Sequence, residues 1–132
     1  MDARVTQVTI VVKDQQAALE FYTQKVGFEK KTDIAPPGHP RWVTVGPKGQ
    51  ELEISLFQHG TRTGDRAPTG SLHPGNGMFV LTVADCAKTV EELRSRGVPL
   101  QPAEPQQEAW GTYSGFADPD GNQFTILQPK KW

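Results

Sequence analysis

Two stretches of this chain repeat one another at a nearly fixed distance. Asp14 and Asp85 lie 71 positions apart, as do Val8 and Phe79, Ile10 and Leu81, and Val12 and Val83. Gly27 and Gly97 are separated by 70, and Pro47/Pro119, Gly49/Gly121, Leu52/Phe124 and Ile54/Ile126 by 72. Such an offset makes the chain two copies of one unit, each too small to stand alone, sharing a single core. Each copy opens on a period-two strand, Val8-Ile10-Val12 or Phe79-Leu81-Val83. An aspartate follows at the helix N-cap position, then a helical stripe (Ala18, Phe21, Tyr22, Val26; Cys86, Val90, Leu93) and a C′ glycine. Further strands are expected near 28–34, 41–46 and 51–58, and again near 98–103, 111–117 and 122–128. Pro47-Lys48-Gly49 and Asp118-Pro119-Asp120-Gly121 supply matching turns. The plan is βαβββ twice: module 1 about 5–58, a connector at 59–76 and module 2 about 77–129, within one 132-residue domain.

Composition agrees with this plan and removes several functions. Gly (13) and Pro (11) are frequent, as short strands and turns require. Charge is balanced at a formal −1, with no basic stripe for nucleic acid. No apolar run approaches a membrane span, and no signal peptide is evident. A single cysteine, Cys86, excludes an internal disulfide and a Cys-rich zinc site, so the expected compartment is the cytoplasm. Cys86 itself sits at apolar spacing in the second helix and reads as a packing residue. Nucleotide fingerprints and a nucleophile elbow are absent from the sequence.

Strand parity sorts the side chains into two faces. Val8, Ile10, Val12, Leu52, Ile54 and Leu56 go to the helix-covered core. Gln7, Thr9, Val11, Glu51, Glu53, Ser55 and Phe57 go to the other face. The repeat offset makes Met78 the counterpart of Gln7, and Thr125 the counterpart of Glu53. These four positions are expected to meet near a pseudo-two-fold axis. Glu53 is a cavity-facing carboxylate, a candidate base or cation anchor. Trp42, Trp110, Tyr113 and Phe57 are candidate aromatic walls for a planar or cationic ligand. His39, His59 and His73 lie outside the strand interiors without metal-ligand spacing and read as surface residues. A folded-back His39 or His73 completing a site with Gln7 and Glu53 is the alternative.

Paired βαβββ modules, a first helix carrying Phe21-Tyr22 and followed by Gly27-Phe28, and the closing Asp118-Pro119-Asp120-Gly121-Asn122 hairpin resemble the vicinal oxygen chelate superfamily. That group holds glyoxalase I, extradiol dioxygenases, fosfomycin-resistance proteins and bleomycin-binding proteins. The resemblance implies an α/β (α+β) fold in which two βαβββ modules form a curved mixed sheet around a concave cavity. It implies metal ligands at Gln7, Glu53, Met78 and Thr125. Gln7 and Glu53 suit a hard cation; a thioether and a neutral hydroxyl do not. The resulting expectation is a small-molecule binding protein without a metal or other cofactor, assembled as a homodimer. Gln7, Trp42, Glu51, Ser55, Phe57, Met78, Trp110, Tyr113 and Thr125 join Glu53 at the ligand. The alternatives are a metal-dependent lyase, isomerase or dioxygenase with an atypical ligand set, and an interaction module whose groove only mediates dimerisation.

Overall fold

The computed structural model describes residues 1–60, 74–75 and 77–130. Most of the expected connector, with His73, lies outside the described residues. Strand β1 (Gln7–Val12) leads to helix α1 (Gln15–Glu20), which widens into a π-helical turn over Phe21–Val26. Strands β2 (Glu29–Ile34), β3 (Trp42–Gly46) and β4 (Glu53–Gln58) complete the first module. The second holds β5 (Met78–Thr82), α2 (Cys86–Ser95), β6 (Gln106–Glu108), β7 (Gly111–Ala117) and β8 (Gln123–Pro129). The two four-stranded mixed sheets have the same plan, β1-β4-β3-β2 and β5-β8-β7-β6. In each, the opening strand runs parallel to the closing strand and the other pairings are antiparallel.

Local chemistry sets the helix limits. The Asp14 and Asp85 carboxylates accept from Ala17 N and Lys88 N at 3.0 Å, satisfying amides that have no partner within their helices. Gly27, at φ 90°, ends the first helical run in the left-handed conformation that favours glycine. The expected first helix is thus present, but its second half is π rather than α. There the Thr23 hydroxyl donates to the Leu19 carbonyl at 2.7 Å, a bond that competes with the helical ladder. The strand expected at 98–103 does not form. Pro99 and Pro102 have no N–H to give, and one ladder-like bond remains, Gln101 N to Gly115 O at 2.8 Å. The short β6 takes up pairing later, while Val98 and Leu100 turn into the core.

One apolar core lies between the sheets and helices. Ile10, Val12, Val43, Val45, Ile54 and Leu56 enter it from the first sheet, and Phe116, Phe124 and Ile126 from the second. Tyr22 joins the halves, with its ring 5.7 Å from Phe124 and 5.9 Å from Phe28. Its hydroxyl donates to Asp118 Oδ2 at 2.7 Å. Asp118 is buried and also accepts from Asn122 Nδ2 (2.8 Å), Asn122 N (2.8 Å) and Asp120 N (2.9 Å). Asn122, fully buried, accepts from Gly77 N at 2.8 Å and donates to Val11 O at 3.4 Å. The Asp-Pro-Asp-Gly-Asn turn is therefore a clasp between modules, not merely a hairpin. No described helix is long and apolar enough to cross a membrane.

Tyr22→Phe removes one donor from a buried carboxylate and is expected to cost about 1–3 kcal/mol in urea unfolding, with an unchanged m-value. Burial first, and the Asp118 charge second, hold the Tyr22 hydroxyl well above the ordinary tyrosine value of 10.0. The unfolded chain therefore releases this proton at lower pH than the folded one. The contribution is complete below pH 10 and is lost as pH rises further. Wild-type stability should fall more steeply above pH 10 than that of Tyr22→Phe.

Candidate functional site

The face of the first sheet turned away from the core is organised in rows across the strands. At one end Gln7 lies opposite Glu53. In the middle row Thr9 lies opposite Ser55, Ser55 opposite Thr44, and Thr44 opposite Thr32, one hydroxyl from each strand. Beyond it Val11 lies opposite Phe57, and Trp42 opposite Ile34. The face thus grades from carboxylate through hydroxyls to aromatic and aliphatic groups. A register shift between Lys30 and Thr32 decides one member of the row. The bulge places Thr32, not Lys31, beside Thr44. Lys31 instead reaches Gln50 O at 2.8 Å and Glu29 at 3.4 Å, keeping an ammonium away from Glu53.

Glu53 is half-buried and held on one oxygen. Its Oε1 accepts from Thr44 Oγ1 at 2.5 Å and Thr32 Oγ1 at 3.0 Å. Among the described residues nothing bonds to its Oε2. Two residues along β4, Ser55 is 1% exposed and its Oγ has no hydrogen-bond partner among the described residues. A buried hydroxyl without a partner costs free energy, so its retention needs a reason. Thr9, beside it in the row, is open to solvent.

The corresponding face of the second sheet is apolar. Met78 and Val80 are 79% and 61% exposed. Here the register corrects the expected match. Gln123, not Thr125, lies opposite Met78; Thr125 lies opposite Val80. The core pair Val45/Ile54 encloses residues 46–53, whereas Phe116/Phe124 encloses only 117–123. The register relates Gln7 to Met78 by 71 positions but Glu53 to Gln123 by 70, so the sequence offset of 72 misplaces β8 by two residues, an even slip that leaves each side chain on its expected face. Trp110 is exposed and leans on Tyr113, their centroids 5.1 Å apart. Tyr113, Gly115, Gln123 and Thr125 border a cavity of about 500 Å³ with Pro99 and Gln101.

The structure thus brings Gln7, Glu53, Ser55, Phe57 and Trp42 together on one sheet. Met78, Thr125, Tyr113 and Trp110 belong to the other, and no ladder joins β1 to β5. Glu51 leaves the set: it precedes β4 and makes an exposed ion pair with Arg4 at 2.8 Å. His39 and His59 are exposed on loops. Among the described residues no three His, Cys, Asp or Glu side chains gather where they could hold a metal ion. A divalent cation fits this donor set poorly. The first sheet offers one carboxylate, already tied on one oxygen, and one amide, while the second offers a thioether, an amide and a hydroxyl. Cys86 is buried, and burial, then the Asp85 charge, raises its thiol above the ordinary range, as suits a packing residue. Sequence parity places Thr9 on this face and leaves Thr44 unassigned, and the turn holding Asp118 reads in sequence only as a hairpin. The bulge that delivers Thr32 leaves no signal in residue spacing.

A family model described as the Glyoxalase/Bleomycin resistance protein/Dioxygenase superfamily matches residues 4–126. The chain is 32% identical to the uncharacterized protein YetH of Bacillus subtilis (strain 168) over 128 residues, covering 97% of this chain and 100% of that one. Among solved structures it is similar to TnmS3, described as an antibiotic binding protein from Streptomyces sp. CB03234. That match has 30% identity and a TM-score of 0.81, over 98% of both chains. It is also similar to UcmS2, with 39% identity and a TM-score of 0.82, over 96% of this chain and 98% of that one.

The two carboxylates of β4 and its approach should separate in mutagenesis. Glu51→Ala is expected to change unfolding free energy by less than about 0.5 kcal/mol, as for other exposed ion pairs. Thr44→Val, which strips a buried donor from Glu53, should cost about 1–2 kcal/mol by the same urea measurement.

Proposed function

Because the chain belongs to the glyoxalase/bleomycin resistance protein/dioxygenase superfamily, we propose that it is a small-molecule binding protein of that superfamily. It works in the cytoplasm without a metal or other cofactor. One observation carries the reading. Glu53 is fixed by two threonine hydroxyls on one carboxylate oxygen while nothing among the described residues bonds to the other, at the head of a face that turns hydroxylic and then aromatic. An open carboxylate takes an ammonium or hydroxyl group; Trp42 and Phe57 take a flat or apolar body. The likeness to TnmS3, an antibiotic binding protein, supports an organic compound of the antibiotic kind as ligand.

A second copy of the chain completes the groove in this reading. β1 and β5 are outer strands that pair with a strand on one side only among the described residues, and β5 presents apolar surface at Met78 and Val80. The apolar face of one protomer then closes over the polar face of its partner, and Trp110, Tyr113 and Thr125 supply the far wall.

Calorimetric titration of protein purified without chelators tests this, using a panel of cationic aromatic antibiotics with bleomycin included. At least one compound should bind, and Glu53→Ala should weaken it about 10- to 100-fold, the loss of a charge-assisted hydrogen bond. Failure of the whole panel, together with stoichiometric Ni²⁺, Mn²⁺, Fe²⁺ or Zn²⁺ that disappears in Glu53→Ala, would replace this reading with a metal-dependent enzyme.

A further inference from the structure

Ser55 has no part in holding the fold that the structure reveals. Its hydroxyl is buried, it accepts and donates nothing among the described residues, and apolar alanine would fit the same position at no cost in those bonds. Both of its cross-strand neighbours, Thr9 and Thr44, carry hydroxyls on the same face. Thr44 spends its proton on Glu53. Thr9 is exposed and can bond to water, so Ser55 is the buried member of the row whose donor and acceptors are unused among the described residues.

We propose that Ser55 is the specificity-determining residue of the ligand face, its hydroxyl held unpaired in the free protein to meet a polar group of the ligand. This rests on the reading that the Glu53 face binds the ligand. Residues two apart on a strand are separated by about 7 Å. The matching ligand class is an aromatic amine bearing a second polar group, a hydroxyl or carbonyl, at that distance from its nitrogen. The ammonium lies on the open oxygen of Glu53, the second group on Ser55, and the remaining apolar body extends toward Phe57 and Trp42. Thr9, exposed beside Ser55, is its polar neighbour on the solvent side, and contact with the buried hydroxyl requires the side chains that cover it to shift.

Two measurements test the proposal. The melting temperature of free Ser55→Ala should rise by roughly 2–5 °C, because an unpaired buried hydroxyl is removed. NMR titration with tyramine and with phenethylamine, which differ by one phenolic hydroxyl, reads the specificity. Wild type should bind tyramine about 3- to 10-fold more tightly, and Ser55→Ala should abolish that preference while still binding both amines. Equal binding of the two amines by wild type would overturn the role of Ser55 and leave the ligand face standing. Binding of neither would remove the ligand face and the proposal with it. A lower melting temperature for Ser55→Ala would show that the hydroxyl already has a partner inside the protein, contradicting the proposal.

Discussion

A buried carboxylate fixes how the two halves of this protein meet. Asp118 takes the Tyr22 hydroxyl from module 1 and the Asn122 side chain and two amides from its own turn. Asn122 in turn reaches across to Val11 and back to Gly77. A charge so deeply placed is tolerable only with every lone pair occupied, and the bonds that occupy them come from both modules. Each sheet alone would expose one apolar face. The clasp sets those faces against a common core in which Tyr22, Phe28, Phe116 and Phe124 pack ring on ring.

That arrangement leaves the other two faces outward, and they have diverged. On the first sheet, β4 carries Glu53, Ser55 and Phe57 in succession, and neighbouring strands extend each into a row. On the second, Met78 and Val80 stand where Gln7 and Thr9 stand on the first. The same fold plan thus yields one polar, directional surface and one apolar surface. Among the described residues the first of these faces carries a single carboxylate, Glu53, with one oxygen already engaged by Thr32 and Thr44. The bulge at Lys30/Thr32 matters as much as Glu53 itself, because it trades a lysine for a second hydroxyl donor.

Much of this was readable from residue spacing. The offset of 70–72 exposed two modules, the aspartate caps and glycine stops bounded both helices, and parity separated core from outer face. What spacing could not supply is register. Pro47 and Pro119 share a turn-like setting 72 positions apart, yet the closing strands are related by 70, so Thr125 lies two residues beyond the place Glu53 holds. Pro99 and Pro102 are the signals against the strand expected at 98–103, since neither has an N–H for a ladder. Glu51 shares its parity with Glu53 but lies beyond the start of β4, where Arg4 takes it. The Asp118 turn read as a hairpin because a buried carboxylate looks like any other in sequence; its long-range partner, Tyr22, is 96 residues away.

The central claim is that ligand binds across the outer face of the first sheet, with Glu53 at one end and the aromatic row at the other. Backbone amide chemical-shift mapping during a tyramine titration tests it most directly. The largest changes should fall on Gln7, Thr9, Thr44, Glu53, Ser55 and Phe57. Changes confined to the cavity beside Tyr113, Gly115 and Gln123, with β1 and β4 unmoved, would contradict it.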